Sequence, residues 1–237
     1  GIEDEALYDA HLAAFQQVDS FRGKGLKYLE GLSGILNSLK PHIYSVELQQ
    51  LEQKKSGNED KTISLVEYCQ YLDEMAKKKS LELKDYPHLV AFCEIARLEK
   101  EIDFKAAELE RNIFIKDLAK LLDEKGVQEL INKTQEFKAK KITQKEYYSF
   151  LKSKGEQRLD LKSNYPQLDV YIKYVTISKD VNAADLLKEV SAIEERIKEV
   201  SFTNAEQRRL NEIAKSSQII TKILNLELTP EDYAYFQ

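Results

Sequence analysis

From about Glu5 to Leu39 apolar residues return at helical spacing, which reads as one long amphipathic segment, bent near Gly23 and Gly25 and stopped by the "KPHIY" phrase at Lys40. Downstream the pattern becomes periodic. An aliphatic residue is followed by a hydroxyl residue, then, counting from the hydroxyl, by tyrosine at four and an aromatic at seven. Ile63, Ser64, Tyr68 and Tyr71 fill these places first, and Ile142, Thr143, Tyr147 and Phe150 fill them next. Leu228, Thr229, Tyr233 and Phe236 fill them a third time.

The phrase "DYPHL" at Asp85 returns as "NYPQL" at Asn164, 79 residues on. At the same offset Tyr86–Pro87 meets Tyr165–Pro166, and Leu89 meets Leu168. Ile102 meets Val181, Asp103 meets Asn182, and Glu110 meets Glu189. Upstream, Ile63, Glu67, Tyr68 and Leu72 pair with Ile142, Glu146, Tyr147 and Leu151. Between these blocks "LELK" at Leu81 aligns with "LDLK" at Leu159 after a one-residue shift, as a connector allows.

Each shared feature has a physical task. Ser64-x-x-Glu67 and Thr143-x-x-Glu146 have the form of capping boxes, in which hydroxyl and carboxylate satisfy the orphan donors of a helix start. Pro87 and Pro166 suit a first helical turn, where a missing N–H costs nothing, and they force the preceding tyrosine out of helical geometry. Asp103 and Asn182 are placed to cap the next segment.

The expected fold is therefore all-α, with tandem helical repeats of about 79 residues, built of antiparallel helices as an extended bundle or solenoid-like stack. The organisation expected is an N-terminal helical segment (1–45), a first repeat (46–126), a second repeat (127–202) and the start of a truncated third unit (203–237). Helices are predicted near 46–55, 65–79, 87–101 and 104–125, the last closed by Gly126 as a C-terminal cap. They continue near 127–139, 144–155, 166–179 and 183–200, and Thr203-x-x-Glu206 is read as a further capping box opening a helix to about Asn225. A chain that stops within a third copy is expected to leave the Tyr233/Phe236 face uncovered and open to homo-oligomerisation through the C-terminal helix.

Composition agrees with helix, since 32% of residues are charged and only 8 Gly and 4 Pro occur. A net charge of −5 argues against a nucleic-acid or anionic-membrane partner, and Lys77–Lys79 and Lys138–Lys141 read as solvated helix ends. Cys69 and Cys93 are too few for a disulfide scaffold and read as small core residues, with a bridge between neighbouring helices left open. No apolar run reaches the ~20 residues of a membrane span, and no signal peptide is visible. Gly1 in place of Met reads as a processed or engineered start, and a cytoplasmic location is expected.

His11, His42 and His88 form no metal-ligand spacing, and the chain lacks a phosphate loop, a nucleophile elbow and a Cys-x-x-Cys pair. Acidic pairs such as Glu194–Glu195 and Glu99/Glu101 read as solvated faces. Tyr68, Tyr71, Tyr147, Tyr148, Tyr171 and Tyr174 fall at helical spacing and read as core, with a partner-binding stripe as the alternative. Asn132-Lys133-Thr134 fits the N-glycosylation pattern. No residue is assigned to catalysis, to a cofactor or to a metal, and no cofactor is expected.

At "GIEDEALYDAHLAAF" and "LNLELTPEDYAYF" the chain resembles the helical region of large uncharacterised bacterial proteins, in which similar Tyr-Pro corners recur. The resemblance implies a helical middle portion of a larger protein, whose flanking regions look more like enzyme domains. The function expected is a non-catalytic scaffold or protein-interaction domain, with its own flanking domains or another protein as partner. The alternative is a helical cap or insertion of an enzyme whose catalytic residues lie outside this chain.

Overall fold

The computed structural model describes residues 4–178 and 180–236, apart from the side chains of Glu5, Pro230, Glu231 and Phe236. The chain is all-α: the described residues form twelve helices and no strand. They are α1 (Glu5–Ile43), α2 (Val46–Glu59), α3 (Leu65–Lys78), α4 (Pro87–Glu101), α5 (Phe104–Leu121) and α6 (Glu124–Lys138). There follow α7 (Gln144–Gly155), α8 (Leu161–Asn164), α9 (Pro166–Ser178), α10 (Ala183–Ser201), α11 (Ala205–Asn225) and α12 (Pro230–Phe236). The helices divide between two compact units, one formed by residues 1–56 with 198–237 and the other by 57–197.

In the first unit α1 packs on α11. The two run antiparallel, since Arg22 Nη2 donates to Asn225 Oδ1 at one end and Gln207 Nε2 donates to the Ile43 carbonyl at the other. Leu36, Tyr44, Leu48 and Leu210 form the core between them. Three local expectations are corrected here. Lys40-Pro41 does not stop α1, which runs on to Ile43 before the Tyr44 N–H closes it on the Lys40 carbonyl. A proline in the last turn removes one donor, and the carbonyl that loses it lies on exposed Asn37, where water can replace the bond. The helix is also unbroken at Gly23 and Gly25. Asn204, not Thr203, caps α11: its side chain accepts from the Gln207 N–H, while the Thr203 N–H donates to Gln207 Oε1.

In the second unit the two capping boxes form, at Ser64 with Glu67 and at Thr143 with Glu146. Pro87 and Pro166 open α4 and α9, and each preceding tyrosine is non-helical, with ψ of 55° at Tyr86 and 57° at Tyr165. Asp103 caps α5, and Asn182 accepts from the N–H groups of Ala184 and Asp185 at the start of α10. Gly126 is not a C-terminal cap. It lies in the first turn of α6, where its N–H donates to the Asp123 cap, because α5 has already ended at Leu121. No glycine among the described residues adopts positive φ. Lys179, the expected end of the helix from 166, lies outside the described residues.

The packing of this unit is reciprocal. Glu110 on α5 accepts from the Leu168 N–H of α9 at 2.8 Å, and Glu189 on α10 accepts from the Leu89 N–H of α4 at 2.9 Å. In the same way the Asp103 N–H donates to Gln167 Oε1, and the Asn182 N–H donates to His88 Nδ1. Each bond becomes the other when both residue numbers move by 79. Contacts in which i meets j and j meets i are the pattern of an isologous, two-fold association. One bundle therefore contains α3, α4 and α10, and the other α7, α9 and α5, with α4 against α9 between them.

Candidate functional site

The side chains with intrinsic chemistry prove to be engaged in structure. Tyr68 is buried and donates to Glu194 Oε2 at 2.7 Å; Tyr147 is buried against Phe137 and bonded to Thr134 Oγ1. Tyr148, Tyr171 and Tyr174 join the same aromatic cluster, so these tyrosines lie in or against the core. Glu194, read from sequence as part of a solvated face, is instead buried, because the helix turns it toward Tyr68. Thr134 points inward to the Leu130 carbonyl and Tyr147, while Asn132 stays on the surface of α6.

Cys69 and Cys93 are free thiols. Burial is the main cause that pushes both up to about 12, so neither forms the thiolate that nucleophilic or redox chemistry needs near neutral pH. His88 serves as an acceptor for Asn182, and His11 and His42 lie on exposed positions of α1. Among the described residues no group of three His, Cys, Asp or Glu side chains is placed to hold a metal ion.

Two clefts carry charge. One, of about 430 Å³, is lined by Arg111, Lys116, Lys138, Thr134, Phe137 and Tyr147. Its innermost cation is committed, since Arg111 donates to Tyr148 Oη at 3.2 Å and to Glu108 at 3.0 Å. The other, of about 370 Å³, lies beside Lys40 and Glu52. Glu52 is held at 2.5 Å by Lys40 and at 2.9 Å by Lys198. Burial opposes its ionisation, but the two ammonium groups outweigh that and hold the carboxyl down at about 2. This network was not legible in sequence, because its members lie on three helices with no common spacing.

The outer face of α1 is different in kind. The pairing with α11 ends at Arg22, and every described side chain before it, from Asp4 to Phe21, is exposed. That leaves about 27 Å of helix beyond its neighbour. Leu7, Tyr8, Leu12, Phe15 and Val18 all stand in solvent there. Further along, the buried stripe of α1 contains Leu29 and Leu36, yet Phe21, Tyr28 and Ile35 remain 65%, 73% and 59% exposed on another side. Leu7, His11, Ala14, Val18, Phe21, Gly25, Tyr28, Leu32, Ile35 and Leu39 follow one another at alternating steps of four and three. This is the heptad seam of a helix that packs along a second helix. The sequence reading found the amphipathic segment but not this register, whose signal was present in the spacing.

Tyr233, expected to be poorly covered, is half-exposed; Phe236, its companion, lies outside the described side chains. Thr229 and Asp232 form a reciprocal cap at the start of α12, and Lys222 holds Asp232 at 2.8 Å. No helix among the described residues is long and apolar enough to cross a membrane. No protein-family model, curated protein or solved structure matches the chain.

Proposed function

We propose that this chain is a non-catalytic helical scaffold or protein-interaction unit whose recognition surface is the outer face of α1. The observation that carries this reading is the continuous apolar seam from Leu7 to Leu39, which the chain's own core leaves in solvent. Monomeric folded proteins seldom expose a contiguous apolar patch beyond a few hundred Å², and such patches mark interaction sites. The occupied roles of the tyrosines, cysteines and His88 support the same reading, since they leave structure as the use of those groups. The partner is another protein or a flanking domain of a larger chain.

The test is site-directed photocrosslinking in cells that express the full chain. A photoreactive residue at Tyr28 is expected to give discrete adducts, and one at exposed Glu108 on α5 is expected to give none. Equal labelling at the two positions, or none at Tyr28, overturns the reading.

A further inference from the structure

We infer that the α1 seam is occupied by a second copy of this chain, the two α1 helices lying antiparallel. The inference rests on the reading of α1 as an interaction surface and names its occupant.

Three observations converge on it. The first is self-complementarity. When an antiparallel copy sets Leu7 opposite Leu39, the same register sets His11 opposite Ile35, Ala14 opposite Leu32, Val18 opposite Tyr28 and Phe21 opposite Gly25. Large residues face small or medium ones through the centre, as interdigitated packing requires.

The second is charge. Residues 4–19 contain four acids and no Lys or Arg, whereas residues 20–39 contain three bases and one acid. An antiparallel pair lays the acidic stretch of each helix along the basic stretch of the other, while a parallel pair stacks acid on acid.

The third is area. Leu7, Val18, Phe21, Tyr28, Ile35 and Leu39 are each about half-exposed. At roughly 200 Å² per large side chain they offer about 600 Å² per copy. Two copies reach the ~1,200 Å² at which specific interfaces begin. Gly31 and Gly34 lie beside this seam with nothing within 4 Å of where a Cβ would stand, which leaves room for a close backbone approach.

The test uses the full chain. Sedimentation velocity from micromolar to hundreds of micromolar concentration is expected to show a monomer–dimer equilibrium. Phe21→Glu or Tyr28→Glu is expected to raise the dimer Kd at least tenfold with the far-UV circular dichroism unchanged, since both side chains are exposed in the single chain. Orientation is read by oxidative crosslinking: Leu7→Cys chains mixed with Leu39→Cys chains should give the mixed disulfide dimer, and Leu7→Cys chains alone should not. A self-crosslinked Leu7→Cys dimer overturns the antiparallel arrangement. A chain that stays monomeric throughout, or a dimer indifferent to Phe21→Glu and Tyr28→Glu, overturns the second copy as occupant. If the chain is monomeric while Tyr28 crosslinks to a different protein, the interaction reading survives and this inference alone falls.

Discussion

Tyr68 in one bundle of the second unit gives its hydroxyl to a buried carboxylate, Glu194, whereas Tyr147, 79 residues on in the other bundle, meets the hydroxyl of Thr134. The neighbours differ as well. Cys69 stands where the second bundle has Tyr148, Ala76 where it has Gly155, and Ile193 where it has Phe114. Yet the corners, caps and reciprocal carboxylates agree between the bundles. The difference separates two kinds of constraint. Backbone donors at helix starts have few chemical solutions, so the groups that satisfy them stay alike. A core requires only that volume be filled, so its residues can trade size with one another.

The largest expected effect tests the agreement. Leu89 and Leu168 are both completely buried at matching corners. Leu89→Ala and Leu168→Ala should each cost ~2–5 kcal/mol in denaturant unfolding. A loss under about half a kcal/mol at either position would show that the corners are not equivalent.

A contrast with the first unit comes next, because there a carboxylate rather than a hydroxyl is the buried anchor. Glu52 is held at about 2 from an ordinary value of 4.5. A folded-state value below the unfolded one means stability that is present above pH ~4.5 and lost as pH falls toward ~2. The contribution is of the order of 3 kcal/mol at neutral pH. Glu52→Gln should therefore weaken the protein at pH 7 and make little difference near pH 2. Equal losses at both pH values would remove the charge from the explanation.

Tyr68→Phe and Tyr147→Phe sharpen the comparison between bundles. Removing a hydroxyl that a buried carboxylate uses should cost ~1.5–3 kcal/mol, and removing one bonded to a neutral threonine should cost ~0.5–1.5 kcal/mol. The reverse order in chemical denaturation would mean that Glu194 finds its stabilisation elsewhere.

The trade of volume has its own test. A Cβ on Gly155 would stand 2.3 Å from Phe114 Cζ, so this glycine is required by a ring and not by backbone conformation. Gly155→Ala should cost ~1–3 kcal/mol by overpacking. Adding Phe114→Ile, which installs the residue found at position 193, should recover part of that loss in a double-mutant cycle. Strict additivity of the two changes would show that the ring and the glycine are independent.

These particulars also show what the sequence could reveal. Local chemistry was legible: Ser64 and Thr143 as caps, Tyr86–Pro87 and Tyr165–Pro166 as corners, and Asp103 and Asn182 as the next caps all follow from spacing and side-chain type. Helix ends were less legible, because a proline at position 41 and a glycine at 126 carry different meanings according to where neighbouring helices stop. The pairing of helices was not legible. Glu110 and Glu189 were matched at the right offset, but nothing in one dimension shows that each reaches across to the other's bundle. The outer seam of α1 had a readable spacing, whereas its exposure depends on which stripe α11 covers.

The smallest effect concerns those two carboxylates, and it probes the reciprocity most directly. Tyr86 supplies no side-chain cap to α4, and the Leu89 N–H is instead satisfied from α10 by Glu189. Glu110 performs the same task for Leu168 at the start of α9. A carboxylate at a helix start also meets the positive end of the helix dipole. Changing it to an amide keeps an acceptor but removes the charge, so Glu110→Gln and Glu189→Gln should each cost about 0.5–1 kcal/mol. The measurement is the unfolding free energy of both single variants and the double variant, with amide hydrogen exchange at Leu89 and Leu168. Two-fold packing predicts similar losses, and faster exchange at the leucine that each glutamate caps but not at the other. If Glu110→Gln instead speeds exchange at Leu89, or one variant costs several times the other, the two contacts are a resemblance of geometry and not an exchange of equivalent parts.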